Sequence, residues 1–179
     1  ALLKVDKAGR VVSSQVLGAA SQANGYALAV APDGRVAVAG SVIGALDDGK
    51  SGDAAGVADS FVTVFDATGQ EQWTQRRGAR AADEATAVSF GADGVVYVAG
   101  RSKSAMSGAS AVGGWDGYVQ AYSSRQANAL APFTATNIAT RQFGSTGDDS
   151  VQAMTVSGSD LYTAGIENGR AVVRRFTLD

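Results

Sequence analysis

The feature that most constrains this chain is an internal repeat about a third of the chain long. The string RVAVAG ends at Gly40, VVYVAG at Gly100 and DLYTAG at Gly165. QVLG, QRRG and RQFG end at Gly18, Gly78 and Gly144. ALLKVDKAG from Ala1 recurs as FVTVFDATG from Phe61, with later copies in GYVQAYSS from Gly117 and AVVRRFTLD from Ala171. All three markers keep the same spacing from first to second copy, and the first two keep a slightly longer one to the third. Three markers on one period define a supersecondary unit copied along the chain. The repeats run approximately 1–59, 60–116 and 117–170, with a partial fourth at 171–179.

Each repeat holds four short segments. In the middle copy they are ATAVSF (85–90), VVYVAG (95–100), GYVQAYS (117–123) and NIATRQF (137–143). Apolar and polar residues alternate in them, and Val, Tyr, Phe and Thr recur, the period-2 pattern of half-buried strands. Asp33-Gly34 and Asp93-Gly94 separate the first two segments of their repeats, and Asn168-Gly169 sits in the last copy. Asp-Gly and Asn-Gly between alternating runs signal hairpins. No segment carries a sustained 3.6-residue period with caps. Four antiparallel strands per repeat is the grammar of a β-propeller blade. A β-sandwich is the rival all-β reading, but it needs no such period.

The residues also carry a family resemblance. DSFVTVFDATGQEQWTQRRG followed by DEATAVSFGADGVVYVAG resembles the bacterial SBBP-type β-propeller repeat, whose pattern runs D-x-F-V-x-K-F-D-x-x-G and then A-V-D-x-x-G-N-V-Y-V-T-G. The resemblance covers the whole chain as almost three copies, and it implies a propeller fold without implying an activity. The chain departs from the pattern in three places. Asn is absent after the turn glycine, Ser157-Gly158-Ser159 replaces Asp-Gly in the third copy, and a short insertion lies near NALAPF (128–133). The Ala-, Asp- and Gly-rich style also resembles repeats of large alphaproteobacterial surface and flagellum-associated proteins.

In the family's phase a blade opens on its innermost strand, such as YALAVA (26–31). The chain then supplies two leading strands, two complete blades and three trailing strands, 13 in all. A closed propeller needs at least about four blades. Three outcomes follow: a fragment of a larger propeller, closure with other copies, or an open stack of sheets. The fragment is the favoured reading. Exposed blade faces are large apolar patches, so the isolated piece is expected to self-associate. The start at Ala1 rather than Met reads as a mature, cut or excised piece.

Composition removes several chemistries. The chain has no Cys and no His. Disulfides, thiolate nucleophiles, thiolate zinc sites and Ser-His-Asp or HExxH catalysis are thereby excluded. No apolar run approaches the roughly 18 residues of a membrane helix. The formal net charge is −2, and the basic pairs Arg76-Arg77 and Arg174-Arg175 are too few for a nucleic-acid footprint. No P-loop or dinucleotide fingerprint is present. The lack of cysteine is compatible with an exported protein, and an extracellular or cell-surface location is expected.

Alternating strand direction sorts the links by end. Links after second and fourth strands share one end, with ten acids and five bases; the remainder holds seven acids and ten bases. One end should therefore be acidic. The tract DDGKSGD, with Asp47, Asp48 and Asp53, is the strongest Ca²⁺ candidate, since that ion takes six to eight oxygen ligands. It fits neither the EF-hand loop nor the glycine-rich nonapeptide repeat, and acids of this kind also cap turns. Asp83-Glu84 and Asp148-Asp149 recur just before innermost strands. Paired carboxylates serve glycoside hydrolysis, but sequence neighbours on a strand point apart, and a feature repeated in successive blades is structural. Trp115, in GGWDG, sits where an indole could stack on a sugar or anchor a partner; packing between blades is the plainer use.

The expectation is thus a non-catalytic β-propeller scaffold or protein-interaction module within a larger bacterial protein. It would have no catalytic residue and no required cofactor, and it would bind a protein partner or itself. A glycan- or calcium-binding module on the acidic end is the first alternative, with Asp47, Asp48, Asp53, Asp83, Glu84, Trp115, Asp148 and Asp149 as candidate residues. An Asp/Glu-dependent propeller enzyme is the second.

Overall fold

The structure, a computed structural model, describes residues 1–16, 22–44, 57–77 and 81–178. Thirteen strands build it: β1 (Leu2–Val5), β2 (Val11–Gln15), β3 (Gln22–Val30), β4 (Val36–Ile43), β5 (Ala58–Phe65), β6 (Glu71–Arg77), β7 (Asp83–Phe90), β8 (Val96–Ser102), β9 (Asp116–Gln126), β10 (Phe133–Phe143), β11 (Ser150–Ser157), β12 (Asp160–Glu167) and β13 (Arg170–Thr177). They form four antiparallel sheets, β1-β2, β3-β4-β5-β6, β7-β8-β9-β10 and β11-β12-β13. Two leading strands, two sheets of four and three trailing strands is the arrangement the repeat predicts. No helix occurs among the described residues. The insertion near NALAPF lengthens β9 and β10 and leaves Leu130 at the exposed tip of their hairpin.

Local hydrogen bonding explains the recurring turns. Residues 6–10, 31–35, 66–70 and 91–95 close the same turn, with the first N–H donating to the fifth carbonyl and the fourth N–H donating back to the first carbonyl. The fourth residue is Gly9, Gly34, Gly69 or Gly94, each with φ between 80° and 88°, where an L side chain is strained. Asp66 Oδ1 accepts from the Thr68 hydroxyl and from the N–H groups of Thr68 and Gln70. These bonds hold its carboxyl below the usual range, the Thr68 hydroxyl contributing most. Asp6 and Asp33 are held down chiefly by the N–H groups of Arg10 and Arg35. Asn168 and Gly169 both have positive φ, as the two-residue turn between β12 and β13 requires.

A second local device decides which side chains face which neighbour. Each innermost strand carries one bulge against its partner, at Tyr26, Thr86 and Gln152. The extra residue reverses the alternation. Ala85 and Ala87 therefore join different clusters, Ala85 with Val88, Val96 and Val98, and Ala87 with Tyr97 and Ala99. The bulge also drives a carbonyl against the second strand. A Cβ at Gly40, Gly100 or Gly165 would lie 1.8 Å from Asn24 O, 1.8 Å from Glu84 O or 1.9 Å from Ser150 O. This contact is the physical reason the motif ends on glycine in all three copies.

The core lies between successive sheets. One cluster joins Ala37, Ala39, Val64 and Trp73 to Val96, Val98 and Tyr122, with the Trp73 and Tyr122 rings 6.2 Å apart. The next joins Ala99, Val119 and Ala121 to Val151 and Leu161. Phe61, Phe65, Tyr97, Tyr118 and Tyr122 are buried, while Phe143, Tyr162 and Phe176 are half-buried.

The bulge geometry sets a mutational contrast. Gly100→Ala is expected to destabilise the chain by about 3 kcal/mol, because a backbone carbonyl must move. Gly25→Ala, whose Cβ would meet only Val38 Cγ1 at 3.6 Å, should change stability by less than about 1 kcal/mol. Urea denaturation of both variants reads the difference.

Candidate functional site

Glu84, Trp115, Asp148 and Asp149 come together at the end of the molecule where β8 leads to β9 and β10 leads to β11. The link 103–115 lies against the link 144–149. Gly114 N–H donates to Gly147 O at 3.1 Å, and the Asp149 N–H donates to Trp115 O at 2.6 Å. Trp115 N–H donates to Asp148 Oδ1 at 3.0 Å. The GG of GGWDG is needed for this approach: a Cβ at Gly113 would stand 2.3 Å from Ser145 O, and one at Gly114 would stand 2.4 Å from Asp148 Oδ1.

Two cations flank the half-exposed Trp115 indole. The Arg101 guanidinium carbon lies 4.3 Å from the ring centre and the Lys103 ammonium 5.0 Å. Arg101 also pairs with Glu84 at 2.8 Å. Glu84 and Arg101 are directly opposite in the β7–β8 register, so the hairpin itself brings them together. Glu84, Trp115, Asp148 and Asp149 thus belong to one connected group.

The carboxylates of this group differ in surroundings. Asp149 is buried and accepts from Ser145 N–H at 2.5 Å, Asn168 N–H at 2.8 Å and the Ser145 hydroxyl at 3.0 Å. Asp148 is exposed. Asp83 is fully buried and its neighbour Glu84 half-buried, as adjacent strand positions on opposite faces must be. Asp47, Asp48 and Asp53 lie outside the described residues, as do Gly18 and Gly78. Among the described residues no three Asp or Glu side chains converge on a point that could hold a metal ion.

The structure also recruits residues that pattern reading did not nominate. Asp116 is buried and accepts from Val112 N–H at 2.8 Å, Gly113 N–H at 3.0 Å and Gln142 Nε2 at 3.0 Å. Its counterpart Asp59 is buried against Arg76 at 2.6 Å. The recurrence of Asp before the third strand was the available signal. Gly144 is explained by the same carboxylates, since a Cβ there would meet Asp149 Oδ2 at 2.5 Å and Asp116 Oδ1 at 2.9 Å. Burial modifies the expected acidic end. Asp59, Asp83, Asp116 and Asp149 are inside, and Arg101 and Arg174 pair with Glu84 and Glu167. These four carboxyl groups are therefore not presented at the surface of this end.

Chemically, the arrangement presents an indole in contact with two cations beside one exposed carboxylate. Burial pushes the Tyr118 phenol far up, so it stays a neutral hydroxyl.

Asp149→Ala should cost about 3 kcal/mol, because the Ser145 N–H, the Ser145 hydroxyl and the Asn168 N–H lose their buried acceptor together. Asp148→Ala should cost less than about 1 kcal/mol. Thermal and urea unfolding of the two variants separates the structural carboxylate from the surface one.

Comparison with known proteins adds three findings. No protein-family model matches the chain. The Regulatory protein FlaEY of Caulobacter vibrioides is 46% identical over 189 residues, a match covering 99% of this chain and 19% of FlaEY. The chain therefore spans about a fifth of the length of that relative. The crystal structure of Sqt1 from Chaetomium thermophilum superposes with a TM-score of 0.50 at 14% identity, over 89% of this chain and 37% of Sqt1. That likeness concerns the fold alone. The chain is thus all-β and β-propeller-like, and almost its whole length is similar to one segment of a much longer regulatory protein.

Proposed function

We propose that the chain is a non-catalytic, propeller-like scaffold made of SBBP-type repeats. It serves as a protein-interaction module of a larger exported or cell-surface bacterial protein associated with the flagellum. The observation that carries this reading is the 46% identity with Regulatory protein FlaEY, extending over 99% of the chain. The distribution of carboxylates supports the non-catalytic part. Asp116 and Asp149 are buried acceptors of backbone N–H bonds, and Glu84 is paired with Arg101. A general acid or base needs a carboxyl within reach of a substrate proton, and these are committed to holding links together. The chain also brings no His or Cys to such a task.

A second reading has one specific feature in its favour. Trp115 keeps part of its indole at the surface beside Arg101 and Lys103, which suits a glycan ring or an anionic group.

Calorimetric titration with Ca²⁺, a glycan array and cosedimentation with isolated Caulobacter flagella test the reading. The scaffold reading expects no saturable heat, no glycan hits, and chain in the pellet with the flagella. Saturable Ca²⁺ heat, or a glycan hit lost in Trp115→Ala, would replace it with the ligand-binding reading. Absence from the pellet would remove the flagellar association.

A further inference from the structure

The interface between successive sheets is built the same way twice. An alanine-bearing face of one sheet meets a face of larger apolar residues on the next. Ala27, Ala37 and Ala39 of the β3–β6 sheet pack with Val88, Val96 and Val98 of the β7–β10 sheet. Ala87, Tyr97 and Ala99 of that sheet then pack with Met154, Val156 and Leu161 of the β11–β13 sheet. The bulges make this possible, because they give each sheet one face of each kind.

Each end of the series carries one unmatched face. At the first four-stranded sheet, Leu28 and Val30 occupy the register positions of Val88 and Phe90, opposite Val38 and Val36. Val88 is 7% exposed and Phe90 half-buried, whereas Leu28 and Val30 are 56% and 63% exposed. At the last sheet, Ala153 and Ala164 pair across β11 and β12 as Ala87 and Ala99 do across β7 and β8. Both are exposed, and Val173 beside Ala164 is 75% exposed.

We propose that these two faces bind each other between copies of this chain, head to tail, so that Ala153, Ala164 and Val173 of one copy cover Leu28 and Val30 of the next. The proposal deepens the scaffold reading by naming a partner, a second copy, and it rests on that reading. Continuity with the interface already formed twice inside the chain supports it. Space supports it too. Cavities of about 280 and 240 Å³ flank Leu2 between the β1–β2 hairpin and the β3–β6 sheet, lined by Leu28, Val30 and Val36 in one and by Val38 and Phe61 in the other. The hairpin stands off the inner strands across these cavities, and Leu28 and Val30 stay more than half exposed.

One strand position is claimed twice, since β1 and β13 are both third strands. The pairing of β12 with β13 spans eight residue pairs, and that of β1 with β2 spans four and is interrupted by a register shift. The longer ladder holds, and β1 gives way on docking. Such a heterologous contact adds copies until the rotation closes a ring or continues as a filament.

Sedimentation velocity of the intact chain over a wide concentration range tests the proposal, with circular dichroism to verify folding. The mass of the unaltered chain should rise with concentration. Leu28→Asp blocks one face and Ala164→Glu the other, both at exposed positions, and each alone should weaken association roughly a hundredfold by burying an unpaired charge. Mixing the two variants should restore a one-to-one complex and nothing larger, because each retains the face the other lacks. A chain that stays monomeric throughout, an Ala164→Glu variant that still associates by itself, or a mixture that stays monomeric would overturn the proposal. Those results leave the scaffold reading in place, because the Ca²⁺, glycan and flagellar measurements decide it separately.

Discussion

The contact on which the arrangement depends is the approach of an innermost-strand carbonyl to a second-strand glycine. It occurs at Asn24 and Gly40, at Glu84 and Gly100, and at Ser150 and Gly165. At each place one extra residue bulges from the inner strand and turns the following side chains over. Without it, Ala85 and Ala87 would share a face. With it, the inner two strands of each four-stranded sheet turn their alanines to the next sheet and their larger apolar residues the other way, while Val64, Trp73 and Val119 on the outer strands complete the contact. A repeat protein needs such polarity, because a unit with identical faces would not specify which neighbour follows.

Much of this was legible in the sequence, and for a definite reason. Turn chemistry and strand alternation are coded within a few residues. The Asp-Gly and Asn-Gly signals, the repeated VAG ending and the strand count all report local geometry. The role of Gly100 was not legible, because it depends on the Glu84 carbonyl of the neighbouring strand. The Trp115 site was legible only in part. Asp148 and Asp149 were nominated by recurrence, whereas Arg101 and Lys103 enter through the angle between links that are distant in sequence. Counting charges by end also missed burial. Asp59, Asp83, Asp116 and Asp149 are inside the protein and are not presented at its surface.

The functional picture follows from where polar groups are committed. At the loop-rich end, buried carboxylates hold links that carry little secondary structure of their own, a structural use of charge in which N–H donors surround the acceptor. His and Cys are absent from the composition. Among the described residues, the half-exposed Trp115 indole beside Arg101 and Lys103 and two sheet faces at the ends of the series stay open to other molecules. Almost the whole chain is similar to one segment of a regulatory protein several times longer.

One sheet-to-sheet interface is repeated along the chain and left unfilled at both ends. Hydrogen–deuterium exchange at low protein concentration tests this most directly, because local opening free energies follow how each strand is covered. Exchange should be slowest in β8 and β9, which have sheets on both sides, and fastest in β1 and β2. Protection of β1 and β2 equal to that of β8 and β9 would contradict the picture, since the first sheet would then already be covered.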